Sequence, residues 1–405
     1  MNSDKYDIVV IGAGIIGLAT AMTLSTRYPR YKIAVLEKDN DVALHQTGHN
    51  SGVIHAGIYY APGTQKSNFC SIGGKLLRAF CDEHDINYDM CGKVIVATKE
   101  EEIPRLEDLL ERGTANGAEG LEMVGPERLA ELEPYAAGLQ AIYSPNTGII
   151  DYAEVSKAYA AQFREHGGDL FTNAAVHEIS ERDGKTYLET AIGSIQTDRV
   201  INCAGLQADM VARMMGVEPG LRIIPFRGEY FSIRKDRQYL LNGLIYPVPD
   251  PALPFLGVHF TKRITGGVEA GPNAVLAMAR EGYKKTSFNF KEAIDTLTYS
   301  GFWKMSATYW KVGLDEQYRS LRKSVFLKSL QVLMPEIQMS DLTDPGAGVR
   351  AQAIDSNGNL LQDFAISETQ NAIHVLSAPS PGATSSLAIS DYIVDLAQKS
   401  FELVA

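Results

Sequence analysis

The sequence predicts an α/β protein in which a Rossmann-type dinucleotide-binding domain is interleaved with a second domain built on an antiparallel sheet. Three observations predict it. A β-branched run at residues 6–11, a glycine break at 12–14, a helical period over 15–27 and a second β-branched run at 32–36 make a βαβ unit. Residues 222–268 alternate strand-like runs with Pro and Gly turns, the pattern of an antiparallel sheet. Short parallel-type strand signals then return late in the chain, so the chain crosses between the two domains several times.

Between these landmarks, residues 43–68 are rich in Gly, His, Asn and Ser and too irregular for one element. Helical periods cover 72–84, 102–116 and 155–166. Strand patterns cover 86–98, 138–143, 169–178, 186–191 and 199–203, and residues 274–334 read as mostly helical. A last strand pair is expected at 351–354 and 372–377, followed by a Pro/Gly loop and a helix over 385–398. Residues 1–80, 145–220 and 345–405 are assigned to the nucleotide domain, and 81–144 and 221–344 to the second, substrate-binding domain.

Composition removes several classes of function. The 405 residues are 45% hydrophobic and 21% charged, a globular balance. The net charge of −11 gives no broad basic surface for nucleic acid. An anionic ligand must therefore be held by a few local cations. Cys70, Cys81, Cys91 and Cys203 show no CxxC spacing, so neither a metal site nor a disulfide framework is expected. The N-terminus lacks the pattern of a signal peptide. No apolar run approaches the roughly 20 residues of a spanning helix. The expectation is a cytoplasmic protein with free thiols, at most peripheral to a membrane.

Gly12-Ala13-Gly14-Ile15-Ile16-Gly17 is a GxGxxG in strand–turn–helix context. The first glycine allows the tight turn, the second lets the backbone approach a pyrophosphate, and the third lets the helix pack on the sheet. Free N–H groups at the helix N-terminus then face phosphate. Glu37 ends the second strand 20 residues after Gly17, where an acid accepts hydrogen bonds from a ribose diol and disfavours a 2′-phosphate. Three further segments favour the longer FAD over NAD. Residues 45–52, with Thr47, Asn50, Ser51 and Gly52, can run along pyrophosphate and flavin. Ala204 and Gly205 end a late strand with small residues. Gly382, Ala383, Thr384 and Ser385 open the C-terminal helix, whose positive end suits a reduced flavin. Each alone is also what an ordinary glycine turn or capped helix looks like; together they favour a flavin. Lys38, Val53 and Val176 are counted with the cofactor-binding residues.

These residues carry a resemblance. DIVVIGAGIIGLATA, VLEK, HQTGHNSGVIHAGIYY, NCAGLQAD, PFRGEYF, VHFT, GPNAVL, GVRAQ and SPGATSS together resemble the L-2-hydroxyglutarate dehydrogenases/oxidases, from about residue 5 to residue 395. Residues 45–60 are the most specific part and 280–345 match less clearly. The resemblance implies a D-amino-acid-oxidase-like, glutathione-reductase-like FAD fold. It also implies oxidation of L-2-hydroxyglutarate to 2-oxoglutarate and, in bacterial members, electron delivery to membrane quinone.

Oxidising a secondary alcohol on flavin requires hydride transfer to N5 and a base for the hydroxyl proton, a task suited to histidine. His55, in the segment expected to pass the flavin, and His259, in LGVHFT, are the candidates; His45 and His49, early in the same loop as His55, are expected to serve cofactor packing. A dicarboxylate needs planar, bidentate cations. Arg350 in GVRAQ is the first choice, with Arg227, Lys262 and Arg263 behind it, while Tyr59, Tyr60 and Tyr246 can supply hydroxyl donors. Rival readings are an amino-acid or amine oxidase, a glycerol-3-phosphate dehydrogenase, oxygen as acceptor, or a non-catalytic flavin redox module. Finally, residues 288–311 hold Phe288, Phe290, Tyr299, Phe302, Trp303, Tyr309 and Trp310 among Lys291, Lys304 and Lys311. Such helices can lie in a membrane interface or cover the second domain. The first of these readings goes with peripheral attachment to an anionic membrane, on the cytoplasmic face of the inner membrane.

Overall fold

The run of Ile and Val at residues 8–11 is buried on both faces, which only a strand in the middle of a parallel sheet can satisfy. In the computed structural model, which describes residues 4–404, it lies in strand Asp4–Ile11 between Ile33–Leu36 and Gly193–Asn202, parallel to both. Successive side chains point to opposite faces. Ile8 and Val10 join the core formed with helices Ile15–Arg27, Tyr152–Glu165 and Ser386–Ser400. Val9 and Ile11 join a second core with Leu188, Val200 and Val211.

Among the described residues, eight strands form this sheet and nine form another. In the first, Asp169–Phe171 extends the parallel set beyond Ile33–Leu36, and Ala372–Ser377 extends it beyond Gly193–Asn202. Strand Gly193–Asn202 is shared: its first half pairs antiparallel with Lys185–Thr190, its second half parallel with Ala372–Ser377.

The second sheet is built on Leu221–Ile233, which pairs along its whole length with Leu342–Asp355. Its remaining neighbours are antiparallel, except that Leu244–Pro247 runs parallel to Lys93–Ala97. That exception follows from the route of the chain. Between residues 97 and 244 it passes through the first sheet, and a long crossover carries no hairpin constraint. A three-stranded sheet of Val53–Ile54, Gly148–Ile150 and Tyr88–Asp89 lies beside these two.

Two expectations are corrected here. Residues 351–354 do not pair with 372–377; they face Arg222 to Pro225. The domain boundary placed at 345 therefore falls inside a strand of the second sheet. Alternation marks a segment as strand, but says nothing of its partner. The helix expected at 72–84 begins at Gln65, because Thr64 accepts a hydrogen bond from Ser67 N–H and caps it.

Residues 290–331 are helical as Phe290–Leu297, Ser300–Leu321 and Lys323–Gln331. Their aromatic residues divide. Phe302 packs with Ile224, Met305 and Ile354 and is 6% exposed, whereas Phe288, Phe290, Trp303 and Trp310 are all more than half exposed.

The loop before these helices is tied to the first sheet by one buried ion pair. Arg280 is 2% exposed; its guanidinium donates to both carboxylate oxygens of Asp209, to Leu206 O and to Asp295. Asp209 sits on helix Ala208–Met214, which follows the strand ending at Asn202. Removing one partner strands the other's charge in the interior. Arg280→Ala should therefore lower unfolding stability by about 3–5 kcal/mol. Urea denaturation checks this; a loss below about 1 kcal/mol, the scale of an exposed pair, would show that the pair is solvated.

Candidate active site

A cavity of about 930 Å³ lies between the two sheets. One wall is the glycine turn, residues 43–53, residues 203–206 and the turn before the C-terminal helix. The other comes from strands Leu221–Ile233, Leu244–Pro247 and Leu342–Asp355 and the loop after Pro247.

The first wall is made by backbone. Gly12 has φ +104°, and a Cβ there would stand 2.6 Å from Cys203 O; a Cβ on Gly17 would stand 2.0 Å from Gly12 O. The turn is thus pressed against the neighbouring strand and its own helix, with no room for side chains. Gly14 gives helix Ile15–Arg27 no capping side chain. Ile15 N–H donates to Thr47 Oγ1 at 3.1 Å, and Gly14, Ile15 and Ile16 of this turn line the cavity. A glycine-lined turn at a helix N-terminus suits a pyrophosphate.

Of the expected cofactor residues, Gly12, Gly14, Ile15, Ile16, Thr47, Asn50, Ser51, Val53, Ala204, Gly205, Gly382, Ala383 and Thr384 line the cavity. Gly17, Glu37, Gly52 and Ser385 are outside its lining but adjoin those segments. Glu37 is buried and accepts from Ala13 N–H (2.8 Å) and Asp39 N–H (3.1 Å), so its carboxylate shapes the glycine turn. Lys38 and Val176 are not brought to the cavity wall. The Lys38 ammonium is held by Glu281 (2.7 Å) and Asp39 (2.9 Å). Val176 opens strand Val176–Arg182 and packs beside the core that holds Ile179 and Leu188.

His55, His259 and Arg350 meet on this cavity. The His55 backbone N–H donates to Thr384 Oγ1 (3.2 Å), and its Nε2 lies 3.3 Å from Ser380 Oγ. His259 Nδ1 is 3.0 Å from Gly257 O. A carbonyl only accepts, so Nδ1 carries the proton and Nε2 is the free base. Burial, then the charges of Lys93 and the other histidine, hold His55 down to about 3. Burial holds His259 down to about 4. Both imidazoles are neutral at ordinary pH.

Arg350 has no carboxylate partner among the described residues; its guanidinium lies 4.6 Å over the Phe255 ring. The secondary candidates are all engaged. Arg227 forks onto Glu229 (2.9 and 3.1 Å), Lys262 pairs with Asp89 (3.1 Å), and Arg263 donates to Asn50 O and faces Glu269. His45 and His49 pack with Tyr283. Tyr59, Tyr60 and Tyr246 line the cavity, and the Tyr59 hydroxyl is buried without a partner.

Sequence reasoning missed Lys93. It opens strand Lys93–Ala97, every residue of which is buried, and burial pulls its ammonium down to about 7. A charged residue at the head of a β-branched run, KVIVA, was the available signal.

Comparison with known proteins accords with this geometry. The family described as "FAD dependent oxidoreductase" matches residues 7–396. The L-2-hydroxyglutarate dehydrogenase of Indibacter alkaliphilus is 51% identical over 397 residues, 98% of this chain and 100% of that one. The chain belongs to the L-2-hydroxyglutarate dehydrogenase family. The mitochondrial member from Homo sapiens is 45% identical over 419 residues, covering 99% of this chain and 90% of its own. Among solved structures, L-alpha-glycerophosphate oxidase from Mycoplasma pneumoniae with FAD bound superposes with TM-score 0.79 at 24% identity, over 97% of this chain and 94% of that one. Glycine oxidase from Geobacillus kaustophilus does so with TM-score 0.72 at 17% identity, over 98% and 95%. The fold is that of FAD-dependent oxidoreductases, as expected, and the cofactor is FAD.

The histidine environment makes a pH prediction. A depressed pKa leaves a base free to lower pH than an ordinary histidine, so the acid limb of flavin reduction should fall below pH 6.5. Rapid-mixing reduction rates across pH check it; a limb at 6.5 or above places the base elsewhere. Replacing whichever histidine is the base by Ala should slow reduction about a hundredfold.

Proposed function

We propose that this protein oxidises L-2-hydroxyglutarate to 2-oxoglutarate and passes the electrons to a membrane quinone. The observation that carries the reading is Arg350, a cation with no acidic partner, on the same cavity as two neutral imidazoles and opposite a nucleotide cradle. Bound FAD supplies the acceptor for the C2 hydride. The protein's residues do the rest. Arg350 clamps a carboxylate through its planar fork and thereby presents one face of C2. His55 or His259 accepts the hydroxyl proton through a free ring nitrogen. Apolar walls such as Phe226 and Phe255 keep water from the centre. In this reading the segments of the first sheet hold the cofactor. The second sheet, including Leu342–Asp355, encloses the substrate.

Anaerobic titration tests the reading directly. L-2-hydroxyglutarate should bleach the flavin and the D-enantiomer should do so far more slowly; equal bleaching by both, or none by either, would sink it. Arg350→Lys should mainly raise KM, because a point charge replaces a fork.

The quinone half is supported by the helical surface. Phe288, Phe290, Trp303, Trp310 and Leu314 are exposed, with Lys291 and Lys311 exposed among them. Asp295 and Glu316 are turned toward Arg213, Arg280 and Arg319. No helix among the described residues is long and apolar enough to cross a membrane. Attachment would then be peripheral, on the cytoplasmic face of the inner membrane, and weakened by salt. Wild type should co-sediment with anionic vesicles and Trp303→Ser/Trp310→Ser should not. Equal sedimentation of the two excludes this face. The buried Phe302 is not a suitable target for this test.

A further inference from the structure

Lys93 is a buried cation without an anion. It is 2% exposed, and its ammonium has no hydrogen bond or carboxylate partner among the described residues. It sits instead between two aromatic faces, 4.7 Å from the Tyr59 ring centroid and 5.2 Å from that of Tyr246. Tyr246 in turn stacks on His259 with ring centroids 4.0 Å apart, and both tyrosines line the cavity. The ionisable groups that face Lys93 are His55, Tyr59, Cys70, Tyr246 and His259, and none of them is a carboxylate.

Burying an unpaired ammonium is costly, and tyrosine faces repay only part of that cost. Strand Lys93–Ala97 is otherwise Val, Ile and Ala, so an apolar residue at 93 would suit the core better. Charge accounting in the cavity points to what the cation serves. Of the acidic residues on the cavity lining, Asp250 faces Arg105, Glu281 holds Lys38, Asp363 accepts from Gln65 and Lys66 N–H, and Asp108 is exposed. Arg350 can neutralise one carboxylate. Of the other cations on the lining, Arg105 faces Asp250, Lys66 lies beside Asp363 and Arg112 is exposed, so a second carboxylate gains from a further positive charge behind the wall.

We propose that Lys93 is the counter-charge for the second carboxylate of a dianionic substrate, acting through the Tyr59–Tyr246 wall without touching it. It is a positioning residue that makes the site prefer a dicarboxylate over a monocarboxylate 2-hydroxy acid. The inference rests on the reading that the substrate is a 2-hydroxy dicarboxylate. In the free protein burial draws the ammonium toward its neutral form, and an arriving anion restores the charge.

The test compares Lys93→Met and Lys93→Arg with wild type. Lys93→Met should raise KM for L-2-hydroxyglutarate about tenfold, the scale of one partly screened charge interaction, and leave KM for the monoanion L-2-hydroxybutyrate unchanged. Lys93→Arg should recover most of the preference. The Tm of Lys93→Met should equal or exceed that of wild type, because an unpaired buried charge is gone; a merely structural lysine would lower Tm and harm both substrates alike. Should the Met variant not fold, Lys93→Gln carries the same comparison. If wild type turns over neither acid, the functional reading fails by itself. Lys93 is then judged from binding of glutarate against butyrate, followed by the shift in flavin absorbance. An unchanged dianion-to-monoanion ratio in the Met or Gln variant, in turnover or in binding, overturns the proposal.

Discussion

The hydroxyl of Thr384 holds the centre of this molecule together. It is buried, and its Oγ1 accepts from the His55 N–H at 3.2 Å while lying 3.2 Å from Val53 O and 2.8 Å from the Tyr152 hydroxyl. Three distant stretches of chain meet on that one atom. They are the irregular segment that carries His55, the helix capped by Asp151, and the turn that opens the C-terminal helix. A buried hydroxyl left unpaired is costly, so the three partners are mutually required. This junction fixes the His55 backbone, and its side chain reaches Ser380 Oγ at 3.3 Å.

Charge is distributed by the same rule of satisfaction. Buried arginines at 227 and 280 are matched by Glu229 and Asp209 and act as mortar between elements. Among the described residues Arg350 and Lys93 have no carboxylate partner; Arg350 lines the cavity and Lys93 stands behind the tyrosines that line it. His55 and His259 are held low by burial and then by Lys93, with Arg350 adding to the effect on His259. The site is therefore positive where an anion binds and basic where a proton leaves, and among the described residues none of the carboxylates on the cavity pairs with Arg350.

The nucleotide half was legible in the sequence because its chemistry is local. The strand, glycine turn and helix of residues 4–27 are contiguous, so the GxGxxG and its strand and helix are read together, although Gly12 and Gly14 also answer to Cys203 and Thr47, far along the chain. The catalytic half was only partly legible. His55, His259 and Arg350 were nameable through motifs, but these residues lie far apart in the chain, and a motif does not say that they share a cavity. Lys93 escaped notice because a lysine before a β-branched run is ordinarily a solvated strand end. Lys38 was counted with the cofactor residues, but its partner Glu281 lies far along the chain and could not be read from the neighbouring sequence.

The sequence by itself determined the period and punctuation of the elements, the cradle for a dinucleotide and, through family resemblance, the class of chemistry. Those features depend on neighbours within a few residues, where backbone sterics and side-chain spacing suffice. Only the tertiary structure decided strand partners, such as Leu221–Ile233 with Leu342–Asp355, and which cations keep an unpaired charge. Pairing and neutralisation are settled by what lies opposite after the chain has crossed between sheets, and no local pattern encodes the identity of that neighbour.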